Sequence, residues 1–159
     1  MSFEKFKEAD ASEVPIGTYV QMISKSYSKY LNHKFNSIGL NSTQVSILFH
    51  IQFENNINQE KISKGCNINK GAVARSLKKL EDEGYLIREV DEDNRRQNII
   101  SLTKKGEETF KKIKEISRNY ESRVLKNINK ESLKELKELL KEIAIETVCI
   151  NNEIEKNKA

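Results

Sequence analysis

The chain has 159 residues and a mass of 18.4 kDa, a length suited to one compact domain or one domain with an added element. Six glycines and one proline are too few chain breakers for a collagen-like, linker-like or β-sandwich protein. The net charge is +4, and no apolar run is long enough to cross a membrane or to form a signal-peptide core. We therefore expect a cytoplasmic protein with no membrane partner.

Residue types that carry catalysis or hold metal ions are scarce in this sequence. Cys66 and Cys149 are far apart, and His33 and His50 belong to no metal-binding motif. Nucleophile-elbow, dinucleotide-binding and phosphate-loop motifs are missing as well. We therefore expect no enzyme activity, no catalytic residue, no metal site and no cofactor.

Two helices are predicted in the first third of the chain. Apolar residues recur at three- and four-residue steps over 13–36, which predicts a long amphipathic helix with Pro15 in its first turn. Asn41 and Gln44 have the spacing of a capping box. A second helix is therefore expected at about 42–53.

Two shorter helices and a turn are predicted next. Asn58 can cap a helix that runs to about Gly65, and Asn69 can cap another at about 70–83. Gly84 can then end the second helix in a left-handed conformation. This order predicts a helix-turn-helix.

A β-hairpin is predicted after the fourth helix. The segments 85–90 and 98–102 are short and β-branched, and the stretch 91–97 between them is wholly polar. No Asn-Gly or Asp-Gly pair marks a two-residue turn, so the hairpin loop is expected to be long.

The C-terminal part is predicted to be helical over 104–150. Thr103 can cap the first of two helices, a break is expected at 127–129, and the polar tail from Asn151 is expected to fray. The apolar stripes of this region and of 13–36 exceed what one small core needs. They must be buried against each other or against a second subunit.

Basic residues are concentrated in one part of the chain. No Asp or Glu occurs between positions 61 and 79, whereas three acids follow at 81–83. In the helix at 70–83, apolar residues form one stripe, and Arg75 lies near the centre of the opposite face. A phosphate backbone would bind such a segment, although charge alone is equally consistent with a solvated lysine-rich surface.

These elements predict a mainly α protein with a small β-hairpin wing. The winged helix-turn-helix core would span 41–103, with dimerisation helices at 13–36 and 104–150. The second helix of the core fits the major groove of DNA. Arg95 and Arg96 at the hairpin tip could enter the narrow minor groove.

Several segments together form a recognisable family pattern: 58–64, 69–86, 94–96, Leu102-Thr103 and Gly106. With them, the sequence resembles the MarR (multiple antibiotic resistance regulator) family over roughly 13–148. The resemblance implies a single MarR-like domain over 1–159 that binds a palindromic double-stranded DNA operator as a homodimer. It also implies a transcriptional regulator, usually a repressor, often released by a small-molecule effector or by thiol oxidation.

The resemblance and the charge pattern nominate three sets of residues. The DNA-binding residues would be Asn69, Lys70, Gly71, Ala72, Ala74, Arg75, Lys78 and Lys79 in the recognition helix, with Arg95 and Arg96 in the wing. Lys61 and Lys64 could contact the DNA backbone. Tyr27, Tyr30, Phe49 and Phe53 could line an aromatic-ligand pocket, although their helical spacing also suits plain core.

The sequence departs from the family pattern at the wing and at the start of the recognition helix. Asn94 stands where the family usually has Asp, and Gly71 and Ala72 stand where it often has hydroxyl residues. Specificity would then depend on Arg75 and on DNA shape.

Two alternatives remain at this point. Cys66 is expected to be a buried small hydrophobe rather than an oxidant sensor, and Cys149 could face a partner chain. The whole chain could also be a helical protein-protein interaction module whose winged-helix domain does not bind DNA. That module would need an apolar patch on the face that carries Arg75.

Overall fold

The computed structural model describes residues 2–54, 57–91, 94–95 and 97–157. The chain divides into two compact units, Met1–Ser117 and Arg118–Ala159, and each is considered by itself. Within the described ranges, no helix has the length and apolar character needed to cross a bilayer.

The described residues form helices and one two-stranded antiparallel hairpin, as predicted. The helices are α1 (Phe3–Glu8), α2 (Ile16–Asn36), α3 (Ser42–Phe53), α4 (Gln59–Cys66), α5 (Lys70–Asp82), α6 (Lys104–Val124) and α7 (Lys130–Lys156). The strands are β1 (Leu86–Val90) and β2 (Asn98–Leu102).

The start of the chain differs from the prediction. Helix α2 begins at Ile16, and Pro15 is its N-cap rather than part of its first turn. Before it, Asp10 accepts a hydrogen bond from the Ser12 N–H at 2.8 Å and so caps a separate 3₁₀ turn. Val14 is extended because the residue before a proline avoids the helical region. Sequence reasoning also missed α1.

The capping box predicted for α3 is confirmed. The Gln44 N–H donates to Asn41 Oδ1 at 2.9 Å, and the Asn41 N–H donates to Gln44 Oε1 at 3.0 Å. The helix then contributes Ile47 and Leu48, both fully buried, to the core of the first unit. The box therefore fixes the start of the helix on which α4 and α5 pack.

The turn between α4 and α5 is held by the backbone and by one hydroxyl. Asn67 adopts the left-handed conformation with φ 50°, which Asn tolerates better than most residues. Ser63 Oγ donates to the Ile68 carbonyl at 2.7 Å, and the Ile68 N–H donates to the Ser63 carbonyl at 3.2 Å. The two helices thus form a tight helix-turn-helix.

The wing is joined to the core through strand β2. Strand β1 pairs with β2 from Leu86 opposite Leu102 to Val90 opposite Asn98. The Ile100 N–H donates to the carbonyl of buried Ile57 at 2.9 Å, so the chain before α4 pairs with the outer edge of β2. The hairpin is therefore anchored to the helix-turn-helix.

Helix α6 starts where the wing returns to the core. Thr103 Oγ1 donates to the Gly84 carbonyl at 2.7 Å and accepts from the Gly106 N–H at 3.1 Å, which confirms the predicted cap. A Cβ at Gly106 would collide with the Tyr85 carbonyl oxygen. The glycine therefore permits the close approach of α6 to the base of the wing.

Helix α7 extends further than predicted. Asn129 caps it by accepting from the Ser132 N–H at 2.9 Å, and the helix continues to Lys156, past the predicted end at 150. Ile150 and Ile154 are four positions apart, so they share one face of the helix and continue its apolar stripe into the polar segment that begins at Asn151.

Candidate nucleic-acid interface

Helix α5 has one fully buried face and one charged face. Val73, Leu77 and Leu80 are completely buried against the core. Arg75 and Lys78 project from the opposite side and are exposed. Because α5 packs on the core through its apolar stripe, the charged face is available to bind something else.

The cations of α5 differ in their ionic partners. Lys78 Nζ lies 3.9 Å from Asp82, and Lys79 Nζ lies 3.7 Å from Glu83, both long i,i+4 pairs on the exposed last turn. Such pairs contribute little and are easily exchanged. Within the residues that the structure describes, Arg75 has no ion pair with a carboxylate.

The first turn of α5 is open to solvent. Asn69, the N-cap, accepts from the Ala72 N–H at 2.8 Å, and Asn69, Lys70 and Gly71 are all exposed. Ala72 and Ala74 are half-buried. A Cβ at position 71 would meet only ordinary contacts, so the missing side chain opens the approach to the backbone rather than relieving a clash.

Helix α4 adds a weaker basic surface. Lys61 and Lys64 are exposed, but Lys64 Nζ lies 3.1 Å from Glu60 Oε1. The pKa of Glu60 is held below its usual range. The main cause is Lys64, through its hydrogen bond and its charge, and the charge of Lys70 adds to the effect. The carboxylate at position 60, just before the acid-free segment, therefore reduces the positive charge that the sequence pattern indicated.

The wing loop exposes Arg95. The Asn94 N–H donates to the Asp91 carbonyl at 3.2 Å, and the Gln97 N–H donates to the Asn94 carbonyl at 2.8 Å. The Arg95 side chain, next to Asn94, is exposed to solvent. Arg96, the second wing arginine predicted from the sequence, lies outside the described residues.

The base of the wing is tied to the end of α5. Arg88 Nε lies 3.0 Å from Glu81 Oε2, an ionic contact without hydrogen-bond alignment. Lys105 Nζ donates to the Glu83 carbonyl at 2.6 Å and lies 4.2 Å from the centre of the Tyr85 ring. Arg88 and Lys105 are therefore structural cations. A count of positive charges along the sequence does not distinguish such cations from those that are available to a ligand.

The residues nominated for an aromatic pocket are only partly brought together. Phe49 and Phe53 both pack on Phe110, with ring centres 4.9 and 5.7 Å from it. A cavity of about 320 Å³ beside them is lined by Gln52, Phe53, Glu107, Phe110, Lys111 and Lys114. Tyr27 and Tyr30 are half-buried on α2 and do not line this cavity. Sequence reasoning missed Phe110 because it belongs to a helix distant along the chain.

The cysteines and histidines form no common site. Cys66 is half-buried against the core, with Ser46 Oγ donating to its sulfur at 3.4 Å, and Cys149 is exposed. His50 Nδ1 lies 3.0 Å from Glu54 Oε1, whereas His33 is exposed. Over the described ranges, no group of histidine, cysteine and acidic residues could hold a metal ion.

Comparison with known proteins gives a consistent result. Residues 40–97, which include the helix-turn-helix and most of the wing, match the model of the MarR family. The chain is 24% identical to the HTH-type transcriptional regulator BilQ of Clostridium symbiosum over 79% of this chain and 87% of that protein. It is 26% identical to the uncharacterized HTH-type transcriptional regulator YwoH of Bacillus subtilis over 70% and 81%.

Solved structures share the fold along most of the chain. A crystal structure of MarR superposes with a TM-score of 0.76 at 26% identity, covering 91% of this chain and 98% of that one. A MarR transcriptional regulator from Methanosarcina mazei Go1 superposes with a TM-score of 0.74 at 29% identity, covering 85% and 97%. The similarity thus extends beyond the winged core.

Proposed function

We propose that this chain is a member of the MarR family, whose model it matches over residues 40–97, and a sequence-specific regulator of transcription that binds double-stranded DNA. One observation carries the proposal. The α5 face opposite Val73, Leu77 and Leu80 presents Arg75, Lys70 and their basic neighbours to solvent, although the fold does not need them there. The regulators named among its relatives support the same function.

The geometry suits α5 to the major groove of B-DNA. A helix fits that groove, and an arginine can bind the O6 and N7 atoms of guanine with two hydrogen bonds. Arg75 is the side chain in position for this role, while Gly71 and half-buried Ala72 allow close backbone approach and contact with a thymine methyl. Lys78 and Lys79 would exchange their weak ion pairs for phosphates, and Asn69, Lys70 and Ala74 border the same contact.

The wing would bind the neighbouring minor groove. Arg95 is exposed at the hairpin tip, and Arg96 follows it in the sequence. Narrow A·T-rich minor grooves have an enhanced negative potential that attracts arginine. Lys61 and Lys64 on α4 would contact the phosphate backbone, with Glu60 limiting the contribution of Lys64.

We further propose that the regulator is a homodimer. Helix α7 leaves a row of large apolar side chains exposed, among them Leu140, Ile143 and Ile150, and α2 does so at Ile16 and Ile23. Exposed apolar rows of this length mark contact surfaces. A two-fold dimer would place two α5 helices about one DNA turn apart, so that they match a palindromic operator.

A repressor role with release by a small molecule completes the proposal. The cavity beside Phe53 and Phe110, together with Phe49, is a candidate site, and Tyr27 and Tyr30 stay candidates on α2. An effector lowers DNA affinity only by as much as it prefers the form of the dimer that does not fit DNA. The competing function, a protein-binding module, would need an apolar outer face on α5, and that face is basic.

Selection of binding sites from a random duplex library tests the proposal. Purified protein should enrich sequences with two inverted half-sites whose centres lie about ten base pairs apart. A variant with Arg75→Ala should enrich them less and with weaker preference at one position of each half-site. Failure of the wild-type protein to enrich any duplex, with capture of a protein partner instead, would favour the protein-binding module.

A further inference from the structure

The side chain of Asn58 makes two hydrogen bonds with two different elements. As the N-cap of α4, its Oδ1 accepts from the Lys61 N–H at 2.9 Å. Its Nδ2 donates to Gln97 Oε1 at 2.6 Å, across 39 positions of the chain. A serine would cap the helix nearly as well but is too short to reach the wing. The side-chain amide of Asn58 therefore makes a contact with the wing that helix capping does not require.

Gln97 in turn controls the wing loop. Its N–H donates to the Asn94 carbonyl at 2.8 Å, and its carbonyl accepts from the Asp91 N–H at 3.0 Å. Arg95 lies between Asn94 and Gln97 and is exposed. A displacement of Gln97 therefore displaces the backbone that carries the arginine.

The Asn58–Gln97 hydrogen bond adds a fixed point nearer the tip of the wing. At the core end, the Ile100 N–H bonds to the Ile57 carbonyl, and Arg88 contacts Glu81 on α5. These contacts hold the base of the hairpin. A cavity of about 230 Å³, lined by polar side chains and Ile100, lies between the wing and the start of α4, so side-chain packing there is incomplete.

We propose that the Asn58–Gln97 hydrogen bond is a tether that positions the wing, and with it Arg95, relative to α5 for DNA binding. The inference rests on the DNA-binding function proposed above. The bond is accessible to water, so it adds little to folding stability. Without it, the wing samples several orientations, and the apparent DNA affinity falls with the fraction that fits DNA.

Three neutral substitutions test the tether without changing the net charge. Gln97→Ala removes the acceptor, and Asn58→Ser keeps the helix cap but loses the reach to the wing. Gln59→Ala is the matched control, because Gln59 lines the same cavity without joining the tether. Duplex affinity at several salt concentrations and the melting temperature are measured for each single variant, for the Asn58→Ser, Gln97→Ala double variant, for Arg95→Ala alone, and for Arg95→Ala combined with Gln97→Ala.

We expect the two tether variants to lose DNA affinity through the same effect, so that their losses do not add. Each tether variant should bind about three- to tenfold more weakly, the range that one neutral hydrogen bond supplies, and the double variant should bind no more weakly than either single variant. Their salt dependence should flatten as it does in Arg95→Ala, and Arg95→Ala should cost little in the Gln97→Ala background. Gln59→Ala should retain affinity and salt dependence, and no variant should lose folding cooperativity.

Three results would overturn the inference. Losses that multiply in the double variant would show two independent effects, and an unchanged salt dependence would show that Arg95 keeps its contact without the tether. If the wild type binds duplex DNA and either of these two results is found, the tether is contradicted but the proposed DNA-binding function is not. No duplex binding by the wild type would defeat the proposed function and the tether with it.

Discussion

Side chains on the outer face of α5 can be replaced with an effect on binding and little effect on folding. Arg75 is exposed, lies opposite the buried Leu77, and has no carboxylate partner within the described part of the chain. Arg88 and Lys105 are cations of the same unit that hold the wing to α5 instead. Position in the fold, and not charge, therefore determines which cations are available to DNA.

Replacement of Arg75 by alanine should weaken specific DNA binding and leave stability unchanged. The loss of a bidentate base contact costs about 1–3 kcal/mol, roughly a factor of 5 to 150 in affinity, for each half-site, and relaxes the preference at one base pair there. Fluorescence anisotropy with matched and mismatched duplexes measures both effects. Lys29→Ala on the exposed side of α2 is the charge-matched control. Equal losses in both variants would count against a specific role for Arg75.

Two glycines should respond in opposite directions to substitution by alanine. Gly106→Ala places a Cβ against the Tyr85 carbonyl oxygen, and backbone cannot yield cheaply, so a loss of about 1–3 kcal/mol in unfolding free energy is expected. Gly17→Ala on α2 meets nothing within 4 Å and should be neutral or stabilise by up to about 1 kcal/mol. Urea denaturation distinguishes the two, and a stable Gly106→Ala protein would contradict the close approach described for α6.

At the scale of elements, α5 packs on the core through its apolar stripe. Leu77→Ala removes a fully buried side chain and should lower the unfolding free energy by about 2–5 kcal/mol. Lys78→Ala, one position along the same helix, should change it by less than about 0.5 kcal/mol. Thermal denaturation followed by circular dichroism measures the contrast. Similar effects in the two variants would contradict the division of α5 into two faces.

Local chemistry made several elements predictable from the sequence. The Asn41–Gln44 box and the cap residues Asn58 and Asn69 each act within one helical turn, so the local sequence located the starts of α3, α4 and α5. Helix α1 has a comparable cap, since Ser2 Oγ accepts from the Lys5 N–H at 3.4 Å, but its six residues are too few to show an apolar repeat. The contact of Asn58 with Gln97 and that of Phe49 with Phe110 join distant parts of the chain, and no local signal reports such pairs.

At the scale of the whole molecule, the exposed apolar row of α7 should hold two copies together. Leu140→Glu places a charge in that row and should shift the protein toward monomer in sedimentation equilibrium. A monomer presents one winged helix-turn-helix to DNA instead of two. Its affinity for a duplex with two half-sites should therefore fall at least tenfold, while its affinity for a single half-site should not change. Glu146→Gln, an exposed neighbour on α7, is the control. A wild-type monomer would contradict the dimer proposal.

The dependence of duplex affinity on salt tests the central claim most directly, because it counts the phosphates that the basic surface neutralises. If α5 and the wing bind DNA as proposed, a plot of log K against log salt for the wild-type protein should fall linearly, with a slope of about −0.9 per phosphate contacted. Several contacts per subunit should make that slope steep. Affinity that does not change with salt, or no measurable duplex binding at low salt, would contradict the account.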